Sequence, residues 1–377
     1  RFVMDNLPQP NRTAPAIAVN NLGIANNFGN FDVNRLDENK GALKIDHQMT
    51  EKLSSFFRYT QRHQDIFAPA VITGPAGGNN LGFLDTFNQG GTAGLTWSKS
   101  ASEVVEYRFA VTRLGMDRLP ASVGGASMRE QFDITGLPEG DRVRGGITPQ
   151  DIVGFPRYGR QSTNPQAQFP TTINSRLNYS KSLGRQTLKA GYEWLGLRIR
   201  VDDTNPLYGI DAFGGAYSRP TTGVPTGASN SWYHLADFMF GARSSYQLAT
   251  QVQAQVRQHG NFFYFQDDFK ATSKLTLNMG LRYDVFTPVR DAENKLANFD
   301  PSKNALVVAT DDDPALQRQP YNNFAPRLGA AYQLNSKTVV RGGYAFGWNF
   351  WNRMASAELL NTNAPFVTRF STTNSPA

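Results

Sequence analysis

The stretch NFFYFQDDFKATSKLTLNMGLRYDVF, residues 261–286, decides the fold. In its second half Leu275, Leu277, Met279, Leu281, Tyr283 and Val285 are apolar, while the interleaved Thr276, Asn278, Gly280, Arg282 and Asp284 are polar or minimal. Strict period two is the signature of a β-strand with one apolar and one polar face. The alternation lasts about a dozen residues, roughly twice a typical globular strand and long enough to cross a bilayer at a tilt. With a polar turn at residues 272–274, the stretch reads as a candidate transmembrane hairpin.

Four more hairpins flank it, giving segments at about 41–60, 92–114, 172–201, 260–287 and 323–349. In the first, Leu43, Ile45 and His47 alternate with Lys44 and Asp46, and Leu53, Ser55, Phe57 and Tyr59 return. The second sets Ala93, Leu95 and Trp97 against Val105, Tyr107, Phe109 and Val111, and the fifth sets Leu328, Ala330 and Tyr332 against Val340 and Tyr344. The third alternates through Ile173, Ser175, Leu177 and Tyr179, then slips near Leu195, where a bulge is expected.

Residues 1–40 read as a loop-rich lead-in, 41–350 as the barrel portion and 351–377 as an external loop or truncated tail. Turns within hairpins take a few residues, whereas the inserts between hairpins are long and rich in Gly and Pro; one contains a short helix at 233–240. One end of the sheet therefore has tight turns and the other long loops, as in outer-membrane barrels. The predicted fold is all-β: an antiparallel up-and-down transmembrane β-barrel, partial, with about ten strands of a larger barrel and long external loops.

The polar face carries Arg58, Glu106, Arg108, Arg176, Arg282, Asp284, Arg327 and Arg341 among Asn, Thr, Ser and Gly. In a soluble core each such charge would cost several kcal/mol unless paired, so these eight are candidates for lining a wet or plugged lumen. Aromatic clusters at Phe262, Phe263, Tyr264 and Phe265, and at Phe346, Trp348, Phe350 and Trp351, are expected at strand ends as interfacial girdles.

Composition agrees and excludes other classes. With 34 Gly, 21 Pro, 14 Tyr, 26 Phe and no Cys, the chain is rich in turns and aromatics and has no disulfide framework. No window approaches the apolar length a membrane helix needs. The net charge of +7 is spread without a basic stripe, so no nucleic-acid partner is expected. His47, His63, His234 and His259 lie far apart with no metal-ligand spacing, and no hydrolase elbow, Walker loop or dinucleotide fingerprint occurs. No catalytic residue, cofactor or metal is expected. Asp267 and Asp268 are adjacent on a strand and so point to opposite faces, Asp268 toward the polar side; Asp311, Asp312 and Asp313 suit a solvated acidic loop better than a Ca²⁺ site.

The segments SLGRQTLKAGYEW, LADFMFGARSS, YFQDDF followed by LTLNMGLRYD, NNFAPRLG and VVRGGY resemble the barrel of TonB-dependent outer-membrane receptors. More narrowly they are similar to the Oar-like subgroup, whose members carry an N-terminal carboxypeptidase-regulatory-like domain. The resemblance spans about residues 40–350. It implies a barrel of about 22 strands with a plugged lumen, outer-membrane lipid as surroundings, a TonB complex engaged through a plug region, and energised import of an unidentified ligand. Measured against that pattern the chain reads as an internal piece, since no plug or TonB box is recognisable in it. Two other functions stay open at this level: a surface-display or adhesive barrel without import, and a secreted soluble β-protein that binds glycans.

Overall fold

A computed structural model describes the chain except residues 14–26, 75, 78–81, 221, 223–230, 350–359 and 376–377. In chain order it contains α1 (Phe2–Asp5), β1 (Arg35–Thr50), β2 (Leu53–Ala68), β3 (Gly82–Ser100), β4 (Glu103–Leu119), α2 (Met128–Phe132), β5 (Gln150–Ile152), β6 (Gln166–Leu183) and β7 (Gln186–Asp202). There follow β8 (Ile210–Phe213), α3 (Ser231–Phe240), β9 (Ser245–Ala249), β10 (Gln253–Lys270), β11 (Leu275–Phe286), β12 (Arg290–Asp291), β13 (Ala297–Asp300), β14 (Ala305–Val308), β15 (Phe324–Asn335), β16 (Thr338–Ala345) and β17 (Arg369–Thr373). No described helix is long and apolar enough to cross a membrane.

The main sheet is an antiparallel meander in the order β1-β2-β3-β4-β6-β7-β10-β11-β15-β16, with β12 beside the outer part of β10. Its pairings follow the period-two reading through most of the sheet. Leu43 faces Tyr59, Leu95 faces Tyr107, Tyr107 faces Leu177, Phe265 faces Leu281 and Tyr332 faces Val340. The hairpin turns are closed by hydroxyl or amide side chains that stand in for backbone acceptors. Thr50 Oγ1 accepts from the Lys52 and Leu53 amides, Thr272 Oγ1 from Lys274 and Leu275, and Asn335 Oδ1 from Lys337. At β6–β7 the same job falls to Gly184, whose φ of 57° lies in the left-handed region.

The strands outlast the first four predicted hairpins, β3 having 19 residues and β6 and β10 18 each where about 9–11 suffice to cross a bilayer, whereas the fifth is shorter than predicted, with β16 ending at Ala345. The surplus lies at the long-loop end, where the described loop residues carry short strands and helices of their own. Strands β17, β9, β8 and β5 make a second sheet, parallel only at β5–β8, and β13 pairs with β14. Ile72, Ile152, Tyr158 and Phe213 form one core of this loop layer; Met128, Val143, Ile147 and Tyr208 form another. Between them the buried guanidinium of Arg160 donates to the carbonyls of Val143, Gly145 and Asn164 and lies 3.9 Å from the Tyr208 ring centroid. Burial lowers its pKa to about 10. The helix expected at 233–240 is α3, and the segment expected as tail contributes β17 to this layer.

Two expectations need correction. There is no bulge near Leu195: β7 keeps unbroken register with β6 and with β10. What changes is the chemistry of its faces. Before that point the apolar residues are Leu188, Ala190, Tyr192 and Trp194; beyond it they are Leu195, Leu197, Ile199 and Val201, on the other face, packed with Ala254, Val256 and Val289. The inversion marks where the strand leaves lipid and its inner side meets the loop layer. The second correction concerns Phe262, Phe263, Tyr264 and Phe265, which sit in the middle of β10 because that strand begins at Gln253. Only Phe263 and Phe265 lie on the apolar face; Phe262 and Tyr264 lie on the polar one. Phe346 and Trp348 do follow the end of β16 and stack edge-on at 5.3 Å; Phe350 and Trp351 lie outside the described residues.

Candidate functional site

Directly opposed residues of an antiparallel pair share a face, as do residues two apart on one strand. Arg58 lies opposite Thr92, Glu106 opposite Asn178, and Arg176 opposite both Arg108 and Glu193. Glu193 lies opposite Phe262, Phe262 opposite Asp284, Arg282 opposite Ala325, Arg327 opposite Gly280, and Arg341 opposite Ala331. Followed from strand to strand, this register puts all eight predicted residues on one face. The opposite face leaves Ile45, Phe57, Trp97, Tyr107, Leu281 and Leu328 exposed, among others. A contiguous apolar face of that extent is what lipid covers.

The polar face is partly self-neutralised. Arg176 Nη2 lies 2.7 Å from Glu193 Oε2, and Asn174 Nδ2 donates to Glu193 Oε1 at 2.7 Å. Arg108 and Glu106 are 3.7 Å apart. Arg282 Nε lies 2.7 Å from Asp284 Oδ1, with its guanidinium over Phe262 at 4.9 Å. Nearer the tight turns, Lys189 Nζ, Gln266 Nε2 and Asn278 Nδ2 converge on Asp268 at 2.8, 2.9 and 2.7 Å. Asp267 points to the other face, as adjacency requires, and accepts from Gln186. Arg58, Arg327 and Arg341 make no ion pair among the described residues.

Lys189 and Glu193 belong to the polar face and were not predicted. The inversion at Leu195 hides the period of β7, and only its register with β6 and β10 restores it. Glycines shape this face too: Phe56 lies over Gly94 and Tyr264 over Gly191, and a Cβ at either glycine would collide with the ring. Tyr264 also hydrogen-bonds Asn178 at 3.0 Å.

Where the polar face meets the loop layer, Glu193, Phe262, Arg282, Asp284, Arg327 and Trp348 line a cavity of about 300 Å³. It adjoins a larger one of about 560 Å³, to which Phe286 and Trp348 are common and which Gln258, Leu296, Arg318 and Asn322 help to line. Trp348 is held by its indole N–H on the Phe324 carbonyl at 3.0 Å. The Arg282–Asp284 pair, Glu193 and Arg327, unpaired among the described residues, thus form the floor, with aromatic and amide groups above, a lining that suits an organic ligand with polar substituents.

Among the described residues one group has metal-ligand proximity: His63, Asp65 and Asp85, all exposed. His63 Nε2 lies 3.1 Å from Asp85 and Nδ1 3.8 Å from Asp65. Sequence spacing did not join them, because the β2–β3 register does. Asp311 and Asp313 do not converge on a common point: Asp311 accepts from Asn294 and Asp313 from the Leu316 amide.

A family model for an outer membrane beta barrel domain matches residues 1–377. No curated protein matches the chain. Among solved structures, it is similar to the closed form of the ferric-catecholate import receptor Fiu of E. coli K12, at 12% identity and a TM-score of 0.45, covering 83% of this chain and 44% of that one. It is also similar to the siderophore receptor PiuA of Acinetobacter baumannii, at 11% identity and a TM-score of 0.45, covering 83% of this chain and 42% of that one. The chain therefore spans less than half the length of either.

Proposed function

The chain belongs to the outer membrane beta barrel domain family and is a protein of the bacterial outer membrane, and from that premise we propose that it is part of a TonB-dependent receptor of the Oar-like kind that binds and imports a ligand. The ten paired strands of the main sheet, between residues 35 and 345, are its barrel wall and the polar face its lumen, lined by Arg58, Glu106, Arg108, Arg176, Arg282, Asp284, Arg327 and Arg341. The observation that carries this reading is the meeting of an ion-paired polar face with an ordered loop layer around two adjoining cavities. A barrel that serves only as an anchor has no need of such a floor. Among the described residues the sheet has two open edges, β1 and β16. Lipid does not tolerate unpaired edges, so further strands of a longer polypeptide close the wall.

No catalytic role is proposed. The ligand enters from the loop side, rests against Trp348 and Phe286, and meets Arg282 and Arg327 below. A non-transporting display protein is the second reading, favoured by Met239 and Phe240, exposed at the C-terminal end of α3, where an adhesive contact would form. Membership of the family and the exposed apolar face leave no room for a secreted soluble protein. Import and display separate in one experiment: a pull-down of the full-length protein with the purified periplasmic domain of TonB. Import predicts specific retention; a full-length protein with neither that interaction nor a plug region leaves display.

A further inference from the structure

Above the inversion at Leu195 the outward face of the sheet becomes charged, and the charges are sorted. Arg113 lies opposite Thr171, Thr171 opposite Arg198, Arg198 opposite Arg257, and Arg257 opposite Arg290. These residues form one row on one face across β4, β6, β7, β10 and β12. Arg200, two residues beyond Arg198, shares the face and stacks on Phe169 at 4.3 Å; Arg113 lies 5.4 Å from the Phe87 ring, which neighbours Phe169 at 6.3 Å. Arg113, Arg198, Arg200 and Arg290 are exposed and Arg257 is half-buried.

None of the five makes an ion pair among the described residues. Nearby carboxylates are engaged elsewhere: Asp202 accepts from Gln251, and Glu293 pairs with Lys295 and accepts from Gln255. Like charges directly opposed on neighbouring strands destabilise a sheet, yet here three arginines stand in line. The belt is not basic all round, because Asp37, Asp65, Asp85 and Asp117 are opposed in the same way across β1 to β4. The arginines are thus a local feature.

Their height decides the partner. Just below the row Trp194 stacks on His259 at 5.7 Å, and below that Tyr192 stacks on Phe263 at 4.8 Å, leading into the apolar face. Aromatic side chains of this kind mark the boundary between hydrocarbon and headgroups. The arginines therefore project outward at headgroup level. Guanidinium groups bind phosphate oxygens in forked pairs and are weakly hydrated, so a cluster of them at that level matches a phosphorylated headgroup.

We propose that Arg198, Arg257 and Arg290, flanked by Arg113 and Arg200, form a binding site for the phosphate groups of an outer-leaflet lipid. The proposal rests on the reading of the sheet as membrane-spanning with its loop end outward.

The test uses the full-length protein folded in detergent micelles, with bisphosphorylated lipid A, its dephosphorylated form and inorganic phosphate as probes. The expected result is tight binding of the bisphosphorylated lipid alone, weakened about tenfold or more in the Arg198→Gln/Arg257→Gln/Arg290→Gln variant. Lipid-free thermal unfolding of that variant should be no lower than wild type, because opposed like charges have been removed. Equal lipid binding by variant and wild type, or equal binding of the dephosphorylated lipid, overturns the proposal. Inorganic phosphate bound as tightly as the lipid overturns it in favour of a free-anion site. Failure of the protein to enter vesicles, or to show heat-modifiable gel mobility, is a separate readout that sinks the membrane-spanning reading instead.

Discussion

Leu281 and Arg282 are neighbours in the chain and belong to different solvents. Leu281 is exposed on the apolar face between Phe265 and Pro326, while Arg282 pairs with Asp284 on the polar face. Replacing Leu281 with Arg should cost about 2–4 kcal/mol near the bilayer midplane, whereas Asn278→Arg places a cation beside Asp268 and should be nearly neutral. Equilibrium unfolding of the two variants in vesicles measures the contrast, and equal costs would mean that the faces are misassigned. Gly191 is the second decisive residue. Gly191→Val forces a side chain into the Tyr264 ring and should destabilise the sheet by about 1–3 kcal/mol in the same assay. At this scale the sequence was highly legible, because period two needs no long-range information. It failed at Lys189 and Glu193, where the apolar phase inverts within β7.

At the scale of elements, the hairpins announce themselves through their turn residues, and those residues do physical work. Thr272→Ala removes the acceptor for the Lys274 and Leu275 amides and should cost about 1 kcal/mol by loosening β10–β11. In sequence the loop layer shows only turns and inserts, for an identifiable reason. Its strands have only three to five residues, and its cores join residues as far apart in the chain as Ile72, Ile152 and Phe213, so no local window contains their pattern. The layer depends on Arg160, whose guanidinium serves three carbonyls. Arg160→Met leaves those acceptors buried and unpaired, and should destabilise the layer by about 3 kcal/mol. Faster amide exchange and proteolysis confined to the loops would report it, with the sheet unaffected.

For the whole molecule, direction comes from asymmetry: tight turns at one end, a folded layer at the other, lipid-facing and inward-facing sides between them. The hairpin at residues 261–286 showed the two faces; only the register across ten strands shows that the charged residues of five hairpins share one of them. The same register reveals the outward arginine row, which no sequence window could expose because its members come from β4, β7, β10 and β12. The central claim is that one face meets lipid and the other water. Because the sequence contains no cysteine, single cysteines can be placed at each position from 275 to 286 without background. Labelled with a fluorophore in vesicles, odd positions should be quenched by lipid-bound nitroxides and even positions by a water-soluble quencher; quenching without that two-residue period would contradict the account.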